Sequence, residues 1–385
     1  MTFADELASL NEWHFFREFV YSRNTFRPMP GQEVELADNL VSLGALLVAY
    51  QLKERELVPG ANADTEKRWF ERKVLKQATR QVRDTVRYLN EVETIEVQNH
   101  RGHTFGVTFN TIQQFHKLVV YLPQTALPDE YRRIKHHRSR TVGVIHIMPA
   151  YDYLGIVRTL LTPGEVVEYL GFREELIDRW ETAILAVPEP ALVGQYLHGD
   201  SEVRPSMDFV DHLKQLEHRS QEWDISGIIE KFPDRVTTDN TPTDYYPIVR
   251  ELALLKRNEL REFKQRFQLS LEKARADTFT RPYRIAVPRT DCGFVFLPTT
   301  KEMLPHRRAG LMNFTLAHKY DQRLPKCIGV SIADDVDGWF TAEWCYMEFA
   351  WEEDLEMERL LKENNPFRDV KVAELPRYTY RDNSQ

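Results

Sequence analysis

Asp38, Gln51 and Lys53 are the residues whose types and spacing in this chain point to chemistry. They sit in ELADNLVSLGALLVAYQLKER, residues 35–55, which reads as two apolar strands joined by a tight turn at Gly44-Ala45. Glycine at the first loop position suits a type II′ hairpin, which needs positive φ there. With Leu43 opposite Leu46, the position numbers of each pair add to 89, so Asp38 faces Gln51. Alternation along a strand then puts Gln51 and Lys53 on one face. A carboxylate, an amide oxygen and an amine would meet at one edge of a sheet. Hard oxygen donors suit Mg²⁺, and an amine beside them can stabilise charge developing on a phosphate. The alternative is a solvated hairpin rim, which flanks this apolar make less economical as an explanation.

In this D…QxK arrangement the chain resembles the PD-(D/E)XK nuclease core, in the form found in Mrr-type restriction enzymes. The resemblance covers roughly the first third of the chain. It implies an α/β fold with a PD-(D/E)XK-like core and a Mg²⁺- or Mn²⁺-dependent endonuclease hydrolysing DNA, of a kind that serves in restriction or phage defence. It makes Asp38 the central metal ligand and Gln51 a second, uncharged one, in place of the acidic residue more usual in the family. Lys53 would orient the attacking water or stabilise phosphate charge. Glu35 is the choice for the extra upstream acid, although strict alternation puts it opposite Asp38 and requires a bend or bulge. The missing acid keeps open a non-enzymatic interaction protein on a decayed nuclease fold.

Other elements must position these groups. The aromatic run LNEWHFFREFVYS predicts a helix covering the sheet, with Trp13, Phe16, Phe19 and Val20 in the core. After a loop with Asp64 as N-cap, a helix is expected from about Thr65 to Asn90. Arg72, Lys76, Arg80, Arg83 and Arg87 form one stripe of it, and Phe70, Val74, Ala78, Val82, Val86 and Leu89 the apolar one. Between Glu66 and Arg87 eight Lys or Arg outnumber three acids. That stripe reads as a phosphate-contact surface rather than a solvated face of mixed sign. Residues 91–150 read as further strands around YRRIKHHRSR, residues 131–140, a second nucleic-acid contact or a flexible loop. His146, mid-strand, reads as a satisfied core residue.

The domains expected are a nuclease-like α/β domain over 1–150, a mostly helical region over 151–277 and a C-terminal α/β domain over 278–385. Thr162-Pro163-Gly164-Glu165 has the form of a helix N-terminus. Ile248–Asp277 reads as one long helix, and a late hairpin as turning through Asp335-Val336-Asp337-Gly338. The C-terminal domain is the place for a protein partner or a second copy of the chain. A net charge of −8 excludes global attraction to nucleic acid, so binding must come from a local patch. Cys292, Cys327 and Cys345 show neither zinc-ligand spacing nor a disulfide framework. With no secretory signal or membrane-spanning stretch evident, a cytoplasmic setting is expected.

Overall fold

From Leu46 to Leu52 every residue is buried, as a strand inside a two-faced sheet requires. The computed structural model describes residues 2–22, 24–29, 31–56, 59–216, 219–236, 241–335, 339–369 and 371–378. Its first strands are β1 (Val20–Ser22), β2 (Thr25–Met29), β3 (Gln32–Glu35), β4 (Asn39–Leu43) and β5 (Leu46–Glu54). After them come β6 (Ile95–Gln98), β7 (Thr104–Val107), β8 (Gln114–Leu122), β9 (His136–Ser139) and β10 (Gly143–Pro149). Six of these form one mixed sheet in the order β1-β4-β5-β8-β10-β9. β5, β8 and β10 run parallel, while β1, β4 and β9 are antiparallel to their neighbours. Within β4 and β5, Leu43 pairs with Leu46 and Asn39 with Tyr50, which is the expected register. Gly44 has φ +63° and Ala45 is not left-handed, the backbone pattern of a type II′ turn.

Helix α1 (Phe3–Phe15) is shorter than the aromatic run implied. Phe16 leaves it at φ +65°, Val20 enters β1, and Trp13 is 74% exposed, outside the core. The connection from β5 to β8 begins with α2 (Ala63–Trp69), continues as a π-helical stretch over Phe70–Ala78 and ends with α3 (Thr79–Glu91). Asn62 caps it, accepting from the Thr65 N–H, in place of the expected Asp64. Phe70, Val74, Ala78 and Val82 are buried against Val119, Tyr121, Ile145 and Ile147. A step of four drifts around an α-helix of 3.6 residues per turn. The wider π turn, bonded i to i+5, offsets that drift and keeps the four residues on the sheet.

The short helix α4 (Asp129–Arg132) precedes β9, and α5 (Ala150–Thr159), α6 (Pro163–Trp180), α7 (Ala183–Ala186) and α8 (Glu189–His198) follow β10. Thr162 caps α6 by accepting from the Glu165 N–H, with Pro163 in the first turn. A buried polar chain joins α1, the hairpin and α5. Asn11 donates to Asn39 over 2.7 Å, and the Tyr153 hydroxyl lies 2.6 Å from Asn11 Oδ1 and 3.0 Å from the Tyr50 hydroxyl. Deeper still, the Arg173 Nε donates to Glu189 Oε1 at 2.7 Å, and Lys135 Nζ to Glu189 Oε2 at 3.0 Å. Tyr169 also donates to Glu189, and Arg173 to the Lys135 carbonyl.

The three expected segments regroup, since the chain divides into two compact units after Leu216. The helices of 151–277 are shared out, α5, α6 and α8 belonging to the first unit and the helix Arg257–Arg275 to the second. That helix is separate from Tyr246–Ala253, so the long helix expected over Ile248–Asp277 is broken. The second unit holds β11 (Tyr283–Val287), β12 (Cys292–Thr299), β13 (Lys326–Asp334) and β14 (Phe340–Glu348), in that order, with β12 parallel to β13. β13 and β14 form the expected late hairpin, while Val336, Asp337 and Gly338 of its turn lie outside the described residues. Cys292, Cys327 and Cys345 are buried free thiols. No helix among the described residues is long and apolar enough to cross a membrane.

Glu189→Gln leaves two buried cations without their shared carboxylate. Breaking a buried pair from one side typically removes about 3–5 kcal/mol. Urea unfolding of the variant should show a loss of that order, and a change under about 1 kcal/mol would show that the network does not hold the first unit together.

Candidate active site

The hairpin register carries Asp38, just ahead of β4, to the position opposite Gln51. There its Oδ2 accepts from the Leu52 N–H and lies 3.8 Å from Lys53 Nζ. Lys53 also donates to the Leu52 carbonyl over 2.7 Å. Burial pushes the Asp38 carboxyl up, with Lys53 opposing. Burial likewise pushes the Lys53 amine down, with Asp38 and Glu35 opposing and Lys73 adding to it. Both shifts favour the neutral forms, so a contact of 3.8 Å does not offset the lost hydration of the two charges. Glu35 is raised by burial and then by Asp38. It therefore lies within electrostatic reach of the pair. The required bend is the break at Leu36–Asp38, which separates β3, in its own ribbon with β2, from β4.

Gln51 is 4% exposed, and its Oε1 makes no hydrogen bond. Its face of the sheet is the one covered by α2 and the π-helical stretch, because Tyr121, in register with Lys53, packs on Phe70 at 5.1 Å between ring centroids. One turn before Phe70, Glu66 is fully buried. Its Oε1 accepts from Arg55 Nε at 3.0 Å, and its Oε2 has no partner. Glu66 was not singled out from the sequence, yet a signal was there. It heads the series Glu66, Phe70, Val74, Ala78, Val82, and a carboxylate at the head of a core stripe calls for a partner.

The basic stripe is less uniform than its composition. Asp84 pairs with Arg80 at 3.8 Å and Arg87 at 3.1 Å, and Glu91 with Arg87 at 3.8 Å. Arg72 and Lys76 are exposed and make no ion pair among the described residues. Burial, and after it the Arg83 guanidinium, push the His137 ring of β9 down, so Arg83 lies within electrostatic reach of the edge strand. YRRIKHHRSR is thus partly an ordered edge strand rather than a flexible loop. Lys135 is buried on Glu189, Arg132 holds the carbonyls of Gln124, Thr125 and Leu127, and Arg138 pairs with Asp178. Arg133 and Arg140 are left as exposed cations.

On the opposite face of the sheet, His116, His146 and Glu174 bring one ligand atom each within 4.8 Å of one another, a grouping that could hold a metal ion. Arg173 decides against it. Its guanidinium donates to His146 Nδ1 over 2.8 Å, which places the ring proton on Nε2, facing Glu174 Oε1 at 3.1 Å. Nε2 therefore has no lone pair for a metal. Glu174 accepts from both rings, which draws its carboxyl well below the usual carboxylate range against burial. His146 is the satisfied core residue expected.

Burial holds His146 at about 4. A histidine depressed in the folded state contributes stability above its unfolded pKa, about 6.5, and loses it as pH falls toward the folded value. Stability should decline between those limits, and His146→Gln should flatten the decline without abolishing it, because His14 and His318 are also held near 4. Urea midpoints at several pH values check this, and an unchanged slope would mean that the buried ring is already charged.

Comparison with known proteins adds nothing to this geometry, since no family model, no curated protein and no solved structure matches the chain.

Proposed function

We propose that the first unit is a metal-dependent nuclease hydrolysing phosphodiester bonds of DNA. The observation that carries this reading is the buried, unpartnered amide oxygen of Gln51, one step beyond the last pair of the hairpin, Asn39 with Tyr50, as Asp38 is on the other strand, and two residues from Lys53. Leaving such an acceptor unmet costs roughly 1–3 kcal/mol, and a group of this kind in a folded protein calls for a functional explanation. Carboxylate and amide oxygens suit Mg²⁺ or Mn²⁺. Asp38 and Gln51 would hold the ion, with Glu35 and Glu66 as the acids near at hand. The chemistry such an ion supplies is neutralisation of phosphate charge and a lowered pKa of water.

The chain's own groups divide the remaining work. The Leu52 N–H fixes the Asp38 carboxylate in place. Lys53, drawn toward Asp38, holds a positive charge where negative charge develops on the phosphate. Lys73, close enough to act on Lys53, continues the positive surface onto the helix that carries Arg72 and Lys76. Contacts from that helix to backbone phosphates give affinity without sequence preference.

Asp38→Ala should abolish both Mn²⁺ binding by calorimetry and Mg²⁺-dependent plasmid cleavage. Lys53→Ala should abolish or greatly slow cleavage while metal still binds, and Gln51→Glu should tighten binding by restoring a charge. All three positions are buried or largely so, and the urea midpoint of each variant is therefore compared with that of the wild type before its activity is read. Wild-type protein that binds no metal and cuts nothing, with no rescue by Gln51→Glu, would make this unit a non-enzymatic interaction module.

The salt dependence of DNA binding tests the helix. Replacing Arg72 and Lys76 with Gln should reduce the slope by about one unit per lost phosphate contact. Replacing Arg80 and Arg87, already shared with Asp84, should change it less. Equal slopes for wild type and the first pair would reduce the stripe to a solvated face.

A further inference from the structure

Arg55 follows directly on β5, and the ladder to β8 runs on through it, since its N–H donates to the Leu122 carbonyl at 3.2 Å. Alternation puts Gln51, Lys53 and Arg55 in one row on one face of the sheet. The contact of Arg55 with Glu66 fixes which face, because Glu66 belongs to α2, one turn before the Phe70 that packs on Tyr121. A carboxylate and a guanidinium that serve only each other are best matched by two parallel N–H···O bonds. Here there is one bond, from Nε to Oε1 at 3.0 Å, and Glu66 Oε2 stays without a partner although the residue is fully buried. A guanidinium has five N–H groups. The four on the terminal nitrogens of Arg55 make no hydrogen bond among the described residues. Glu66 thus holds Arg55 by its inner nitrogen and leaves the outer edge of the fork unengaged, on a side chain 14% exposed at the carboxyl end of β5. Such an edge matches the oxygens of a phosphate. Lys53 lies two residues back, about 7 Å along the strand, a step of the same order as that between neighbouring phosphates of one DNA strand.

We propose that Arg55 is a substrate-binding residue that holds the phosphate next to the scissile one, while Lys53 serves the scissile phosphate itself, and that Glu66 is the positioning residue that aims Arg55. The proposal rests on the nuclease reading. No bond forms or breaks at Arg55. Its phosphate is a bystander whose charge is the same in the ground state and the transition state, so the contact lowers KM and leaves kcat alone. The site then takes a chain with at least two successive phosphates in preference to an isolated phosphodiester. The unpaired Glu66 Oε2 follows from the same arrangement, since a second bond to it would turn the outer edge of the fork away from the substrate.

The test uses the full-length protein and Arg55→Lys. A single ammonium keeps the charge beside Glu66 but cannot hold that carboxylate and present a fork as well. Plasmid DNA is compared with bis(4-nitrophenyl) phosphate, a diester with one phosphate, both with Mg²⁺. On plasmid the KM of the variant should rise about tenfold or more, the worth of a hydrogen bond to a charged group, with kcat unchanged. On the single-phosphate ester the two proteins should be equal. In EDTA, the slope of log affinity for duplex DNA against log salt should fall by about one unit in the variant. An unchanged KM on plasmid, an unchanged slope, or an equal loss on both substrates overturns the role of Arg55 and leaves the nuclease reading standing. Where the wild type cuts plasmid and not the ester, KM on plasmid and the slope decide in the same sense. A wild type that cuts neither substrate overturns the nuclease reading, and this proposal with it. If Arg55→Lys does not fold, the slope in EDTA is read on Arg55→Gln with Glu66→Gln, which leaves no buried charge unpaired. A fall of about one unit there supports the proposal, and an unchanged slope overturns it.

Discussion

A slip of one residue between β4 and β5 would turn Gln51 and Lys53 to the other face of the sheet, among the side chains that meet α5 and α6. The register prevents this because the strands are buried and the turn is tight. Leu40, Val41, Leu47 and Val48 are all fully buried, so any slip would exchange two packed faces at once. Gly44 closes the loop at φ +63°, a conformation that a side chain disfavours. The register then fixes the place of Asp38, which lies beyond the last paired residue and is held by the Leu52 N–H. Everything proposed for the site depends on that one alignment.

The same unit shows what the chain does with buried polar groups when no function intervenes. Glu189, 2% exposed, accepts from Arg173, Lys135 and Tyr169, and Arg173 in turn serves Glu189, a carbonyl and a histidine nitrogen. Desolvation is met there by geometry. Across the sheet, Gln51 Oε1, Glu66 Oε2 and the Tyr121 hydroxyl stay unmet, all beneath α2 and the π-helical stretch or at the strand ends beside it. Buried polar atoms without a partner also occur elsewhere in the first unit, among them His14 Nε2, Asn24 Nδ2 and Gln195 Oε1, so what sets these three apart is the face they share with Lys53.

How far the chain could be read depended on whether the deciding interaction was local. The turn at Gly44, the pairing of Leu43 with Leu46 and the Thr162 cap are matters of a few neighbouring residues, and each stands where periodicity and turn chemistry put it. The π-helical stretch was not legible, because a helix of spacing four is read as α until the sheet beneath it is known. Lys135 and Arg138 looked like free cations in a basic run, but their partners, Glu189 and Asp178, are some forty to fifty-four residues away. The boundary after Leu216 was missed for the same reason, since which sheet a helix covers is decided by contacts distant in sequence. Glu66 is the intermediate case, visible from its place in the apolar stripe but hidden by counting it only as charge.

Two carboxyls held together against their preference also bear on stability. Burial raises both Glu35 and Asp38, Asp38 adds to the rise at Glu35, and Lys53 opposes both without cancelling either. A group raised in the folded state binds a proton more readily there than in the unfolded chain, so at neutral pH the ionised pair opposes folding. A divalent cation between them would reverse the sign, because it favours the ionised forms and binds the folded state alone. The site is therefore one that packing alone would not keep. The buried hairpin around the two carboxyls fixes their place, because moving them would exchange the packed faces of β4 and β5.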